Sequence, residues 1–159
     1  MIKKIMMTLT LAVVACSSAW AAAGDFSVAG QFAFASKNSL FGLGAQAQLE
    51  VVKNVRIAPE FIYYFENNHQ SAINVNANVH YLIHTYSNQI IYPMAGFSYT
   101  NFKYDKYNGD YNEDRCGANV GCGYEYSINP NFTFYTEQRF QILKDHNQWV
   151  SVLGIKYTF

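Results

Sequence analysis

A strict alternation of apolar and polar residues over short segments most constrains what this chain can fold into. In residues 73–83 every odd position is apolar, and the even positions hold Asn74, Asn76, Asn78, His80 and Leu82. Alternate side chains of a β-strand point to opposite faces, whereas a helix would scatter these residues around its circumference. The segment is therefore predicted to be a strand with one apolar and one polar face.

Seven further segments of similar length are predicted to be strands. The alternation is clear in residues 25–35, 42–52, 55–65 and 118–128, and residues 149–159 form the eighth and last strand. It is weaker in residues 131–142, where Thr136 and Gln138 share the parity of the phenylalanines. Residues 90–100 do not separate into an apolar and a polar face, and we assign them to a strand from their position and their Ile, Tyr and Phe content.

Two kinds of connection alternate between these strands. Short turn signals stand at Lys53-Asn54, Ser87-Asn88 and Asn129-Pro130-Asn131. The other set comprises Lys37-Asn38, Asn67-Asn68, the long 103–115 stretch and residues 145–147. This arrangement predicts an all-β, antiparallel, up-and-down barrel of about eight strands, with both termini at the end that carries the short turns.

The first 23 residues have the layout of a signal peptide. Lys3 and Lys4 precede an apolar run from Ile5 to Val14, and Ala21 to Ala23 supply a small-residue cleavage site. We therefore expect residues 1–23 to be removed and residues 24–159 to form the barrel domain. An alternative stays open at Cys16, because Val13-Val14-Ala15-Cys16 loosely resembles a site of lipid attachment.

Composition places this barrel in a membrane rather than in water. Aromatic residues make up 17% of the chain, and charged residues only 14%, where soluble domains average about 25%. One face of each strand holds Gln, Asn, Glu, Arg and Gly, while the other is nearly free of charge. The chain has no basic block that would favour nucleic acid and, beyond its start, no apolar stretch long enough for a transmembrane helix.

The last strand carries a recognisable pattern. Trp149, Leu153, Ile155, Tyr157 and Phe159 share one parity, with Ser151 as the interruption. This resembles the C-terminal signature of bacterial outer-membrane β-barrel proteins of the small OmpA/OmpX-like, porin-related kind. The resemblance implies a Gram-negative outer-membrane location, contact with outer-membrane lipids, and recognition of Tyr157 and Phe159 by the barrel-assembly machinery. It does not imply one function, since many functions share this fold.

Seven charged residues are predicted to point into the barrel. They are Glu50, Arg56, Glu60, Glu125, Glu137, Arg139 and Lys156. Charges in so narrow an interior have to pair, which predicts a polar network that plugs the lumen. A polar pathway for ions or small solutes is the alternative, and a carboxylate pair for acid–base catalysis is a further one.

The 103–115 stretch is the most informative surface segment. Tyr104, Tyr107 and Tyr111 are interleaved there with Asn, Gly, Asp and Lys. Rigid aromatic anchors among adaptable polar groups are typical of a binding surface, so these tyrosines are candidates for recognition of an extracellular ligand. The alternative is that they belong to the outer aromatic girdle. The acidic residues do not follow a calcium-loop spacing.

The remaining chemical signals are weak. His69-Gln70-Ser71 resembles the His-x-Ser pair of outer-membrane lipid A deacylases but lacks that family's further residues, so no catalytic site is assigned. Cys116 and Cys122 are expected to be free thiols if they share one straight strand, with Cys122 facing lipid. No cofactor or metal site is predicted. We expect a non-enzymatic structural or surface-interaction protein, with a narrow porin-like channel as the alternative and a lipid-modifying enzyme as a remote third.

Overall fold

The computed structural model describes residues 25–67, 70–106, 109–144 and 147–159, with side chains except for Asn38 and residues 104–111. The proposed signal peptide and Cys16 lie outside these residues. The strands are β1 Phe26–Ala35, β2 Leu40–Val52, β3 Val55–Asn67, β4 Gln70–Tyr81, β5 Ile83–Tyr86, β6 Gln89–Lys106, β7 Gly109–Ser127, β8 Phe132–Leu143 and β9 Gln148–Thr158. A three-residue 3-10 helix spans Lys37–Ser39. No helix in the described part of the chain has the length and apolar character to cross a membrane.

The strands form one closed antiparallel barrel. Strands that are neighbours in sequence pair with each other, except that β4 and β5 both pair with β6, and β1 pairs with β9. The short β5 continues the line of β4 after a break at Leu82, whose buried side chain points inward and whose backbone N–H donates to the Asn54 carbonyl. β4 and β5 therefore count as one strand, and the predicted eight-stranded barrel is confirmed.

The register tilts the strands around the barrel. Following paired residues from Phe26 through all the strands leads to Ser36, a shift of ten residues along β1. Such a stagger goes with a strand tilt of about 35–45°, and eight strands then enclose a space that side chains can fill. The interior is thus a packed layer of side chains, and its chemistry depends on the inward-facing positions.

The apolar and polar faces are arranged as in a membrane barrel. Outward-facing Phe32, Phe97 and Ile155 are 68%, 54% and 54% exposed, whereas inward-facing Asn78 and Thr100 are fully buried. This is the reverse of a soluble protein, in which the apolar face is buried. Outward aromatic pairs lie near both ends of β8 and β9, Phe132 with Tyr157 and Phe140 with Trp149, and aromatic girdles at both interfaces are typical of transmembrane barrels.

The two ends of the barrel differ. The terminal end, where β1 begins and β9 ends, carries tight turns at Lys53-Asn54 and Ser87-Asn88 and a bend at residues 128–131, as the sequence predicts. Asn54 has a φ of 66°, a left-handed conformation that asparagine tolerates better than most residues. The opposite end carries the long β6–β7 hairpin and is called the hairpin end below.

The prediction that residues 103–115 form a loop is wrong. β6 and β7 continue through it as a hairpin, with Phe102 opposite Glu113 and Tyr104 opposite Tyr111. A hairpin beyond the barrel meets water on both faces, so it has no apolar face and its sequence looks like a loop. β7 pairs with β8 only from Gly117 onward, so residues 109–116 have β6 as their only strand neighbour in the described part of the chain.

The structure also explains why residues 90–100 show no separate apolar and polar faces in the sequence. Residues 90–100 lie within β6, and their even positions point inward. Two of these positions hold the large side chains of Tyr92 and Met94, which are 0% and 3% exposed. The alternation is present in the structure but not in hydrophobicity, because apolar side chains occupy both faces.

Candidate functional site

An ion pair crosses the lumen at its centre. The Arg139 guanidinium on β8 donates through Nη1 and Nη2 to the two carboxylate oxygens of Glu60 on β3, at 2.7 and 2.5 Å. These strands lie on opposite sides of the barrel, and both side chains are fully buried. A bidentate pair of this kind is among the stronger hydrogen-bonded arrangements, and here it braces one wall of the barrel against the other.

A second carboxylate shares the same guanidinium. Glu137 lies 3.4 Å from Arg139 Nη1, and its Oε1 accepts hydrogen bonds from the Tyr92 hydroxyl at 2.9 Å and from Gln46 Nε2 at 3.4 Å. Gln46 also donates to Glu60 at 3.2 Å. Asn76 of β4 donates to Glu60 as well, at 2.8 Å. Two buried carboxylates are therefore satisfied by one arginine together with neutral donors from β2, β4 and β6.

A second charged cluster lies closer to the terminal end. Glu125 on β7 accepts from Arg56 Nη2 and from Lys156 Nζ, both at 2.6 Å. The Arg56 guanidinium lies over the Tyr92 ring, 4.9 Å from its centroid, which adds a cation–π contact. Tyr92 therefore links the two clusters, since its ring meets Arg56 and its hydroxyl meets Glu137.

His80 completes this cluster. Its ring stacks on Tyr92 with centroids 4.6 Å apart, and its Nδ1 lies 3.0 Å from Arg56 Nη2. Because arginine can only donate, Nδ1 has to accept, which leaves the proton of a neutral imidazole on Nε2. That nitrogen is buried without a hydrogen-bond partner.

Glu50 lies apart from the predicted network. It is half-buried at the terminal end, where its carboxylate accepts the Asn54 backbone N–H at 2.9 Å across the β2–β3 turn. It faces a cavity of about 190 Å³ that is also lined by Arg56, Glu125 and Lys156. The structure thus joins the other six predicted residues in two clusters and leaves Glu50 at the mouth of the lumen.

An amide network fills the next part of the lumen. Asn74, Asn76 and Asn78 of β4 lie along one line, and Asn119 Nδ2 donates to the side-chain oxygens of Asn76 and Asn78 at 3.0 Å. The other members are Ser98, Thr100, Gln141 and Gln148. The sequence placed the asparagines on a polar face but assigned them no role, because their partners come from strands distant in sequence.

An apolar cap closes the lumen at the hairpin end. It is formed by inward-facing side chains that are 0–2% exposed: Leu40, Ile62, Tyr64, Phe102, Leu143 and Val150. Sequence reasoning missed this cap. Leu40, Phe102 and Leu143 lie just beyond the predicted strand ends, because β2 and β6 are longer than predicted and β8 begins and ends one residue later than predicted.

A polar cluster lies at the base of the hairpin, on the outward-facing surface of β6 and β7. The Asp114 carboxylate accepts from Asn101 Nδ2 at 2.5 Å and from the Tyr99 hydroxyl at 2.9 Å. These two hydrogen bonds, with Asn101 first, lower the pKa of Asp114 below its usual value. Arg115 pairs with Glu113 at 2.7 Å and donates to the Lys144 carbonyl at 2.5 Å.

Two of the three candidate recognition tyrosines lie on this hairpin. The backbones of Tyr104 and Tyr111 pair across it, while Tyr107 lies outside the described residues. Cys116 and Cys122 are free, exposed and both on β7, as expected from their spacing. His69 also lies outside the described residues. Among those that are described, no group of His, Cys, Asp and Glu is arranged to hold a metal ion.

Tyr157 and Phe159 lie where the first and last strands meet. The Phe159 ring stacks on Phe26 at 5.6 Å, and its backbone N–H donates to the Phe26 carbonyl at 3.1 Å. Tyr157 makes edge contacts with Phe159 at 5.0 Å and Phe132 at 5.1 Å. These aromatic residues form part of the outward-facing belt at the terminal end.

No protein-family model matches the chain, and no curated protein matches it in sequence. Its fold does match solved structures. The N-terminal β-barrel domain of Pseudomonas aeruginosa OprF matches with a TM-score of 0.68 and 18% identity, over 85% of this chain and 97% of that one. Neisserial surface protein A matches with a TM-score of 0.69 and 18% identity, over 85% and 96%. Ail of Yersinia pestis matches with a TM-score of 0.65 and 14% identity, over 85% and 97%. At these identities the likeness shows the fold, which is that of the small eight-stranded outer-membrane barrels.

Proposed function

We propose that this chain is an integral outer-membrane protein that acts at the cell surface through its hairpin end and does not conduct solutes. The observation that carries the proposal is the filled lumen. An apolar cap, an amide network and two ion-pair clusters follow one another along the barrel axis. The terminal end faces the periplasm and the hairpin end faces outward, since outer-membrane barrels have short periplasmic turns and longer outer loops.

The β6–β7 hairpin is the surface best suited to recognition. It extends past the level at which β7 leaves β8, so residues 109–116 present a strand edge with unpaired backbone groups, and such edges are sites of strand addition. Tyr104 and Tyr111 pair across its outer part, and Tyr107 falls between them in the sequence. We propose that a protein ligand binds this edge and these tyrosines.

The charge of the hairpin favours a protein ligand over a polyanion. Residues 101–115 contain three basic and four acidic residues, and this slight negative charge does not favour a sulfated glycan. A structure of Ail exists in complex with the heparin analogue sucrose octasulfate. The balanced charge of the present hairpin argues against carrying that ligand class over to this chain.

Conductance tests the closed lumen. The purified protein is inserted into a planar bilayer, and single-channel current is recorded. We expect a silent membrane, with folding confirmed by a gel mobility that changes on boiling. Reproducible current steps from a folded barrel would overturn the closed lumen and favour the second candidate, a narrow channel. The charged cavity beside Glu50 and Lys156 is the feature that supports that candidate.

Trimming the hairpin tests recognition. Residues 104–113 are replaced by a two-residue turn, and cells that display each form are assayed for adhesion to immobilised matrix and serum proteins. We expect the trimmed form to lose adhesion while keeping its heat-modifiable mobility. A matched control replaces Lys37–Ser39, another connection at the same end, and should adhere normally. Equal adhesion by all three forms would refute recognition through the hairpin.

Placement in the outer membrane also implies two partners, the membrane lipid and the barrel-assembly machinery. Lipid would cover the apolar outward face, and the barrel-assembly machinery would read the last strand through Tyr157 and Phe159. Replacing Phe159 by Ser tests the second point, since folded protein in the outer membrane should fall sharply. The variant should still fold when it is refolded directly into lipid.

A further inference from the structure

A row of polar side chains crosses the outward-facing surface of the barrel. Cys122 on β7, Gln138 on β8 and Ser151 on β9 are neighbours in register, and all three point outward. In the sequence, Gln138 and Ser151 interrupt otherwise apolar series. Neither the lumen nor the hairpin uses these residues, so their presence on this face needs its own explanation.

Only the oxygen of the Gln138 side-chain amide has hydrogen-bond partners. Its carbonyl Oε1 accepts from Trp149 Nε1 at 2.9 Å and from Ser151 Oγ at 2.7 Å, which occupies both lone pairs. Its Nε2 donates to none of the described residues. Thr136, two positions earlier on the same face, differs because its hydroxyl donates to the Val152 carbonyl at 2.9 Å.

The unused donors of Gln138 lie within the apolar belt. The aromatic pair of Phe132 and Tyr157 marks one rim beside β8, and the pair of Phe140 and Trp149 marks the other. Gln138 lies between them. If the barrel is in the outer membrane, as proposed above, Nε2 lies towards the edge of the apolar belt, one outward position from the Phe140–Trp149 rim, and an amide donor left without an acceptor there is unfavourable.

We propose that this row is the contact surface of a homodimer in the membrane. A two-fold axis through the row brings Gln138 Nε2 towards the Ser151 hydroxyl of the partner subunit, and the reciprocal contact forms on the other side. The Ser151 oxygen donates once and still has lone pairs to accept. Cys122 and Ser151 are small, so the two barrels can approach closely, as small residues permit between membrane segments.

A second copy fits the row better than lipid does. The lipid acceptors nearest to Gln138 are ester oxygens at the level of the Phe140–Trp149 rim, and these can accept from Gln138 but cannot donate to Ser151. The row supplies both the unused donor and the free acceptor, so it is complementary to itself. This inference rests on the proposed membrane placement, and its test is designed to separate the two.

Cross-linking at Cys122 provides the test. A two-fold axis between Gln138 and Ser151 leaves the two Cys122 residues about three strand spacings apart, which is about 14 Å. The full chain, with Cys116→Ser, is expressed in a Gram-negative outer membrane and treated with a membrane-permeable bis-maleimide whose spacer covers that distance. We expect a covalent dimer. The control carries Cys116→Ser, Cys122→Ser and Ala45→Cys, which moves the thiol to an exposed outward position on β2, across the barrel. It should remain monomeric.

The outcomes distinguish the two proposals. A barrel that shows heat-modifiable mobility but gives no Cys122 cross-link, or cross-links equally at position 45, overturns the dimer alone. A chain without heat-modifiable mobility overturns the membrane placement and the dimer with it.

Two substitutions on β8 test the role of the amide. Gln138→Met removes the donors with little change in volume, and Thr136→Val removes a hydroxyl whose hydrogen bond is already satisfied within the barrel. Energy transfer between labelled copies in lipid vesicles measures the dimer dissociation constant. Because the substitution removes both reciprocal hydrogen bonds, we expect Gln138→Met to raise it about 8- to 300-fold, from the strength of single hydrogen bonds between membrane segments. Thr136→Val should leave it unchanged. Equal effects from both variants, or no effect from Gln138→Met, would overturn the proposal.

Discussion

Replacing Arg139 by Met gives the most direct test of the lumen network. The guanidinium is fully buried and donates to both oxygens of Glu60 and, more weakly, to Glu137. The substitution keeps a similar volume but leaves two buried carboxylates close together without a cation. Breaking a buried pair by removing one partner costs about 3–5 kcal/mol, and we expect a loss of that size in the free energy of unfolding.

The assay is urea unfolding of the barrel in lipid vesicles. Trp149 is the only tryptophan after residue 23, so its fluorescence reports on the barrel wall, and gel mobility without boiling gives an independent readout. Arg115→Met is the matched control. Its ion pair with Glu113 is partly exposed at the surface, where such pairs contribute about 0–1 kcal/mol.

A double substitution separates the loss of the pair from the loss of packing. With Glu60→Leu and Arg139→Met together, Glu137 keeps its hydrogen bonds from Tyr92 and Gln46, and the unpaired Glu60 charge is gone. Replacing both partners of a buried pair is often neutral, so we expect at least half of the lost stability to return. An Arg139→Met barrel as stable as Arg115→Met would refute the view that the pair is a structural brace.

Three further predictions follow from the geometry. Tyr92→Phe removes one hydrogen bond to the Glu137 carboxylate and should lower the free energy of unfolding in the same urea titration by about 1.5–3 kcal/mol. In the folded barrel, a water-soluble maleimide should label Cys116, near the hairpin, much faster than Cys122, which faces lipid, and equal labelling rates would contradict the placement of β7. Because the pKa of Asp114 is lowered from 3.8, its hydrogen bonds should stabilise the hairpin above that pH and lose this contribution as the pH falls through the lowered value. Amide hydrogen exchange should show this loss in the wild type but not in Asp114→Asn.

The sequence predicted the fold because the alternation reports directly on two environments. Segments such as residues 73–83 have one apolar face on the outside of the barrel and one polar face in its interior, so their side chains separate cleanly. The prediction failed where that contrast was missing. At Tyr92 and Met94 apolar residues face inward, and along the hairpin both faces meet water.

The candidate site was predictable as a set of residues but not as a set of pairs. The odd or even position of a residue along its strand identifies which charged side chains point inward. The structure brings six of the seven together in two ion-pair clusters. Which carboxylate meets which cation depends on positions across the barrel, as between Glu60 on β3 and Arg139 on β8, and no local pattern encodes that distance. The cap was missed for a similar reason, because Leu40 and Phe102 lie beyond the predicted strand ends.

The contact between β1 and β9 has a consequence for the order of folding events. Seven of the eight strand pairings join segments linked by short connections, while this one brings Phe26 and Phe159 together from opposite ends of the chain. Loop-closure entropy makes such a contact about 3 kcal/mol more costly than a hairpin. Until it forms, the chain is an open sheet with two bare edges, which the lipid interior excludes. Closure of the barrel and entry into the bilayer are therefore expected to proceed together, with the sheet crossing the membrane only as fast as its first and last strands can meet.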